Sequence, residues 1–200
     1  MERNVKETWG DFLNPDVMRP CLVSAAIYIA AFESLKDSII GQIRSFFWTG
    51  FDGKQDIIAP RYQTDVLSRN RSPLHASLEW LQERGIIDEA DVAAFERVKA
   101  CRNTLAHELL QQLCSGKLPS DFEKCFQEMV ALLHKIELWW ITEVEIPTNP
   151  DFDDQEIDVD GIIPGRVMVL QLLCDIALGS DERSRFYYEE FRKRTSPDPD

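Results

Sequence analysis

The chain is short of bases, of paired cysteines and of long apolar runs, and each shortage excludes something. Its 22 lysines and arginines face 35 acids, a net charge of −13. A surface of that sign does not bind polyanions nonspecifically, so any nucleic-acid site must be local. The five cysteines (Cys21, Cys101, Cys114, Cys125, Cys174) are scattered and odd in number, with no Cys-x-x-Cys pair. That argues against a disulfide framework and for a reduced, cytoplasmic protein. Cys101, His107 and Cys114 share one helical stretch, but their spacing fits no zinc pattern, so no metal or other cofactor is expected. The first residues, with Glu2, Arg3, Lys6 and Glu7, are not a signal peptide. The longest apolar run, Cys21 to Phe32, stops at Glu33 and is too short to span a bilayer. No membrane partner is expected, and no internal repeat or strand pattern is visible.

What is present is a helical grammar. The 44% hydrophobic and 10% aromatic residues suffice for one sizeable core, with or without an appendage. Asn14-Pro15 reads as a cap and a first-turn proline, with Pro20 as an alternative start. From there to Trp48 the spacing is helical, and Leu22, Ala25, Ile29, Phe32, Ile39, Ile43 and Phe46 make one broad face. Glu33 lies at its edge, placed either to pair with Lys36 or to meet a cation across a bundle. Thr49-Gly50-Phe51-Asp52-Gly53 breaks the helix. A loop-rich stretch follows, with a short helix near Tyr62–Ser68. It carries the chain's one basic cluster, Arg61, Arg69 and Arg71, against Asp65. These arginines are candidate phosphate contacts, although such clusters are usually solvated loops.

Ser72-Pro73 caps a helix to about Arg84, which Gly85 stops. Asp88 with Asp91 starts the next helix, and Gly116 ends it. Ser120-Asp121-Phe122-Glu123 has capping-box spacing before a helix to about Thr142. There Phe122, Phe126, Met129, Leu133, Ile136 and Trp140 form a seam that suits a core or a dimer face. Residues 147–200 carry 6 bases and 13 acids, more than half the acid excess. Glu156-x-Asp158-x-Asp160-Gly161 resembles the start of a calcium loop, but Val167 stands where a glutamate is needed. Helices are expected after Pro164-Gly165 and after Ser180, and disorder over Thr195–Asp200. The expected organisation is a bundle over 15–145, an acidic connection over 146–164 and two helices over 165–194 that pack on the bundle. The fold class is all-α, an up-and-down bundle with a C-terminal helical extension.

One helix carries chemistry. Between Glu89 and Cys114, Phe95, Val98, Arg102, Leu105, Leu109 and Leu113 form a stripe at three- and four-residue spacing. Five are apolar and the sixth is a permanent cation, which is costly in a core unless it is paired or opens onto a site. The alternative is that its stem lies on the core while its head reaches an edge. Asn103 and His107, four apart, share a neighbouring face.

Arg102-Asn103-x-x-x-His107, late in a helix that follows a long apolar helix containing Ala31-Phe32-Glu33-x-Leu35, resembles the signature of the HEPN superfamily. The resemblance covers roughly residues 15–145. It implies a helical bundle acting as a homodimer, with metal-independent RNA cleavage in a cleft between protomers. On that resemblance His107 is the general acid or base at the ribose 2′-hydroxyl and Arg102 stabilises charge on the phosphate oxygens. Asn103 orients one or the other. The products would be a 2′,3′-cyclic phosphate and a 5′-hydroxyl, with RNA as substrate and an antitoxin or regulatory protein as partner. Leu109 stands where members paired with a nucleotidyltransferase antitoxin often carry tyrosine. The same order of elements, with its Ser-Pro-Leu helix and Gly85-Ile86-Ile87, also resembles mannitol operon repressor-type proteins. Those are helical regulators, in which residues 102–107 would fix the bundle or an interface.

Overall fold

A computed structural model describes residues 5–153 and 155–195. The described chain is mostly helical: α1 (Val5–Leu13), α2 (Pro15–Phe46), α3 (Pro73–Glu83), α4 (Glu89–Ser115), α5 (Phe122–Trp140), the single turn α6 (Ile146–Thr148), α7 (Gly165–Leu178) and α8 (Asp181–Thr195). Wider π-type turns occupy Gln63–Leu67 and Ile141–Glu145, the second joining α5 to α6.

The helix ends follow local chemistry. Asn14 accepts from the Asp16 N–H at 3.0 Å, and α2 runs unbroken through Pro20 in its second turn. Asp88 and Asp91 form a reciprocal capping box at the start of α4. Lys135 of α5 reaches both carboxylates, clamping that end to its neighbour. Gly116 ends α4 with φ 61°, a left-handed conformation that glycine adopts without strain. There Asp11 and Val17 side chains lie 3.1 Å from where a Cβ would stand. The Ser120–Glu123 capping box does not form. The helix starts one residue later, and Asp121, at its N-cap, makes no side-chain capping bond.

Strand was not expected, yet Trp48–Phe51 and Asp56–Ile58 (β1 and β2) pair antiparallel. The hairpin arises because Asp52 accepts from the backbone N–H groups of Lys54 and Gln55 and folds the turn on itself.

α2 is the axis of the molecule. It packs against α3, α4, α5 and α7. Its inward face runs through Ala25, Tyr28, Ala31, Phe32, Leu35, Ile39 and Ile43. Leu22 and Phe46, expected on that face, are exposed, because Tyr28 and Leu35 take the central positions. The α5 seam is core: Met129, Leu133, Ile136 and Trp140 are buried, and Phe122 and Phe126 pack against them. The seam is therefore used within the chain rather than offered to a second copy. Trp80 stacks on Trp140 at 6.3 Å between ring centroids, closing the opposite end of the core from Tyr28.

α7 packs on α2 and α5, and α8 packs on α7. The anchor is Arg166. It donates to the Ser34 carbonyl at 3.2 Å and to Asp37 at 2.7 Å, and it meets Glu137 at 3.2 Å. Glu137 is only 6% exposed and also accepts from Gln42 at 3.0 Å. Nothing in the helical periodicity marks Glu137 as a core anion. Val167 and Leu170 of α7 face the bundle, whereas Met168, Val169, Leu173 and Ile176 are left to solvent. By length and composition alone, the stretches Pro15–Phe46 and Val159–Leu178 are apolar enough to cross a membrane. The first is the central core helix, and only fourteen residues of the second belong to α7.

Candidate functional site

The stripe on α4 lies where the spacing puts it. Phe95, Val98 and Leu105 are fully buried and Leu113 nearly so. Arg102 interrupts them and escapes. Its stem lies between Val98 and Leu105 on the helix, while its head turns to the edge and remains 32% exposed. There the guanidinium meets Glu33 of α2, with Nη2 3.2 Å from Oε1. It also lies 5.5 Å from the centre of the Phe32 ring, within cation–π range. A longer contact at 3.5 Å reaches Asn103 Oδ1. Both alternatives for Glu33 hold together, because it also accepts from Lys36 at 3.0 Å. Lys36, and after it Arg102, hold the Glu33 carboxyl below the usual glutamate range. Arg102 Nε is buried and has no acceptor among the described residues.

Asn103 and His107 are exposed on the adjoining face of α4. His107 makes no hydrogen bond or ion pair with a described residue. Beyond it on the same helix Leu110 is 77% exposed. Arg102, Asn103 and Glu33 are thus in contact, and His107 stands one turn along from Asn103 without joining them. A hollow of about 240 Å³ lies on the α2 side of this edge, lined by Glu33, Lys36, Asp37, Ile40 and Gly41. Others of about 240 Å³ lie beside Phe46 and Trp140 and between Phe126 and Leu170, and one of about 590 Å³ runs along α8.

The basic cluster does not converge on this edge. Arg61 pairs with Asp65 at 3.1 Å, and Arg69 is taken by the Asp65 carbonyl and by Glu83. Arg71 is exposed and has no partner among the described residues. The three arginines form a largely neutralised loop beside α3.

Cys101, His107 and Cys114 do not gather either. Cys101 points into the bundle, while His107 and Cys114 are exposed. Two further polar contacts escaped the sequence reading. His75 bridges Ser72 at 3.1 Å and Glu96 at 3.0 Å. Arg97 makes a two-bond pair with Glu128 at 3.1 and 2.8 Å, tying α4 to α5. Complementary polar side chains on adjacent helices are the only signal for either, and they need the helix register before they can be matched.

No family model matches this chain, and neither a curated protein nor a solved structure matches it.

Proposed function

We propose that the chain is a HEPN-like helical bundle whose Arg102–His107 edge cleaves RNA without a metal ion. The observation that carries this reading is the state of Arg102. It is the one cation on a core-facing stripe, and it is oriented by Glu33, Phe32 and Asn103. It still keeps a buried Nε–H without an acceptor. A buried donor left unpaired costs about 1–3 kcal/mol, and a small turn of the part-exposed guanidinium toward a phosphate oxygen would satisfy it. A guanidinium held this way needs little reorganisation to stabilise charge developing on phosphorus oxygens.

His107 supplies the proton transfer. An imidazole suits this task near neutral pH. Its exposure and lack of partners leave both ring nitrogens open to a ribose 2′-hydroxyl. Attack of that oxygen on the adjacent phosphorus expels the 5′-oxygen of the next nucleotide. A 2′,3′-cyclic phosphate and a 5′-hydroxyl result. The acidic surface restricts the enzyme to an RNA target engaged through few contacts, in keeping with a cytoplasmic toxin or defence role under an antitoxin's control.

The single chain presents an edge rather than a cleft. The reading therefore requires a homodimer whose second protomer completes the groove, with exposed Leu110 beside His107 suited to that contact. Equilibrium sedimentation tests it: a dimer is expected, and monomer alone at cleavage concentrations contradicts it.

A second reading draws on the Arg102–Glu33 pair itself. An ion pair joining α4 to α2 also serves a non-catalytic regulatory bundle of the mannitol operon repressor type. His107→Ala separates the two. Loss of RNA cleavage with unchanged folding supports chemistry, and absence of cleavage by the wild-type dimer supports the regulator.

A further inference from the structure

Four polar side chains from three helices meet inside an otherwise apolar part of the bundle. Tyr28 comes from α2, Cys101 from α4, and Asp121 and Cys125 from the start of α5. Tyr28 is fully buried, and Cys101 and Cys125 are 3% and 1% exposed. The Sγ atoms of both cysteines and a carboxylate oxygen of Asp121 all lie within 4.8 Å of one another. Within that set, Cys125 Sγ is 3.6 Å from Asp121 Oδ2. The Cys101 thiol lies against the Tyr28 hydroxyl, which itself donates to the Val98 carbonyl at 3.0 Å.

Two buried cysteines alone would be small apolar fillers. Asp121 is what sets this pair apart. It occupies the N-cap of α5, where an aspartate ordinarily bonds a backbone N–H of the first turn. It makes no such bond, and its carboxylate is directed instead at the thiol one turn along. The carboxylate remains exposed, so the cluster has a route to solvent.

We propose that Cys101, Cys125 and Asp121 form a binding site for a thiophilic divalent cation of the zinc type. Zinc bonds thiolate sulfur at about 2.3 Å and carboxylate oxygen at about 2.0–2.2 Å in a tetrahedron. Those lengths put sulfur pairs roughly 3.8 Å apart and sulfur–oxygen pairs roughly 3.5 Å apart. The Cys125–Asp121 separation already matches. The remaining contraction, about 1 Å or less, is within the reach of small side-chain rotations. Two thiolates select against magnesium and calcium, which prefer all-oxygen shells. The fourth position falls to a water entering beside Asp121, because the Tyr28 hydroxyl is committed to Val98. Binding releases the two thiol protons, and the ion crosslinks α4 to α5 next to Arg102. The site is independent of the RNase reading.

The test is cobalt(II) titration of the full chain under a non-chelating reductant. Cys21, Cys114 and Cys174 are changed to Ser to remove the other thiols. The expected result is one equivalent bound, with sulfur-to-cobalt charge-transfer absorption and the visible bands of tetrahedral cobalt, both erased by zinc. Cys101→Ala and Cys125→Ala should each abolish the charge-transfer band. Those changes fall in the core, so Asp121→Asn, at an exposed position, gives the companion measurement. It should weaken binding at least tenfold while circular dichroism is unchanged. A folded protein without the charge-transfer band overturns the proposal, as does binding that ignores Asp121→Asn.

Discussion

Removing Arg166 should loosen the C-terminal helices before it disturbs the rest of the bundle. Arg166 is the polar tie of α7 to α2 and α5, through Ser34, Asp37 and Glu137. Of these, Glu137 matters most, because it is almost fully enclosed and keeps only Gln42 once Arg166 is gone. Breaking a buried ion pair from one side costs about 3–5 kcal/mol. Arg166 is itself about one-third exposed, and water entering beside it reduces that cost. We expect Arg166→Ala to lower stability by about 2 kcal/mol in urea denaturation. Amide exchange should speed up first in α7 and α8, since α8 leans on α7. Adding Glu137→Gln to Arg166→Ala should restore part of the loss, because the stranded charge is then removed. A loss below about 0.5 kcal/mol for Arg166→Ala, or a double variant less stable than the single, would refute the reasoning.

Glu33 gives a pH prediction. Its folded carboxyl is held below the usual range, so its contribution is complete above the unfolded glutamate value of about 4.3. That contribution is lost as pH falls through the lower folded value. Glu33→Gln should therefore be less stable than wild type near neutrality, and the two should converge below about pH 4 in acid denaturation. A gap that widens on acidification contradicts the pairing. Gly116→Ala should cost more than 1 kcal/mol in chemical denaturation, because it adds a Cβ at φ 61° against Asp11 and Val17. A neutral result would mean that the end of α4 relaxes freely.

Much of this fold is written in the chain. The caps at Asn14, Ser72 and Asp88, the stop at Gly116 and the α5 seam are local signals, each decided by residues within a few positions. Contacts between distant elements were less legible. Glu33 is shared by Lys36, three residues away, and Arg102, 69 away, and only the first distance is visible in sequence. Burial of Glu137 depends on α7 returning 29 positions later to place Arg166 over it. Asp121 reads as a cap by residue type, yet its carboxylate follows a thiol instead. The residues of α7 are apolar on both faces, and sequence alone does not say which face is covered. In the monomer the helix has only one side to bury, so Leu173 and Ile176 stay exposed.

The proposed RNA cleavage by Arg102 and His107 can be tested in one assay. Purified wild type, Arg102→Ala and His107→Ala, each verified as folded, are incubated with mixed cellular RNA in EDTA, and the fragment ends are identified. Wild type is expected to cleave, leaving 2′,3′-cyclic phosphate and 5′-hydroxyl ends, with a loss of at least a hundredfold in either variant. Intact RNA with a folded wild-type dimer, or cleavage that survives His107→Ala, would contradict it.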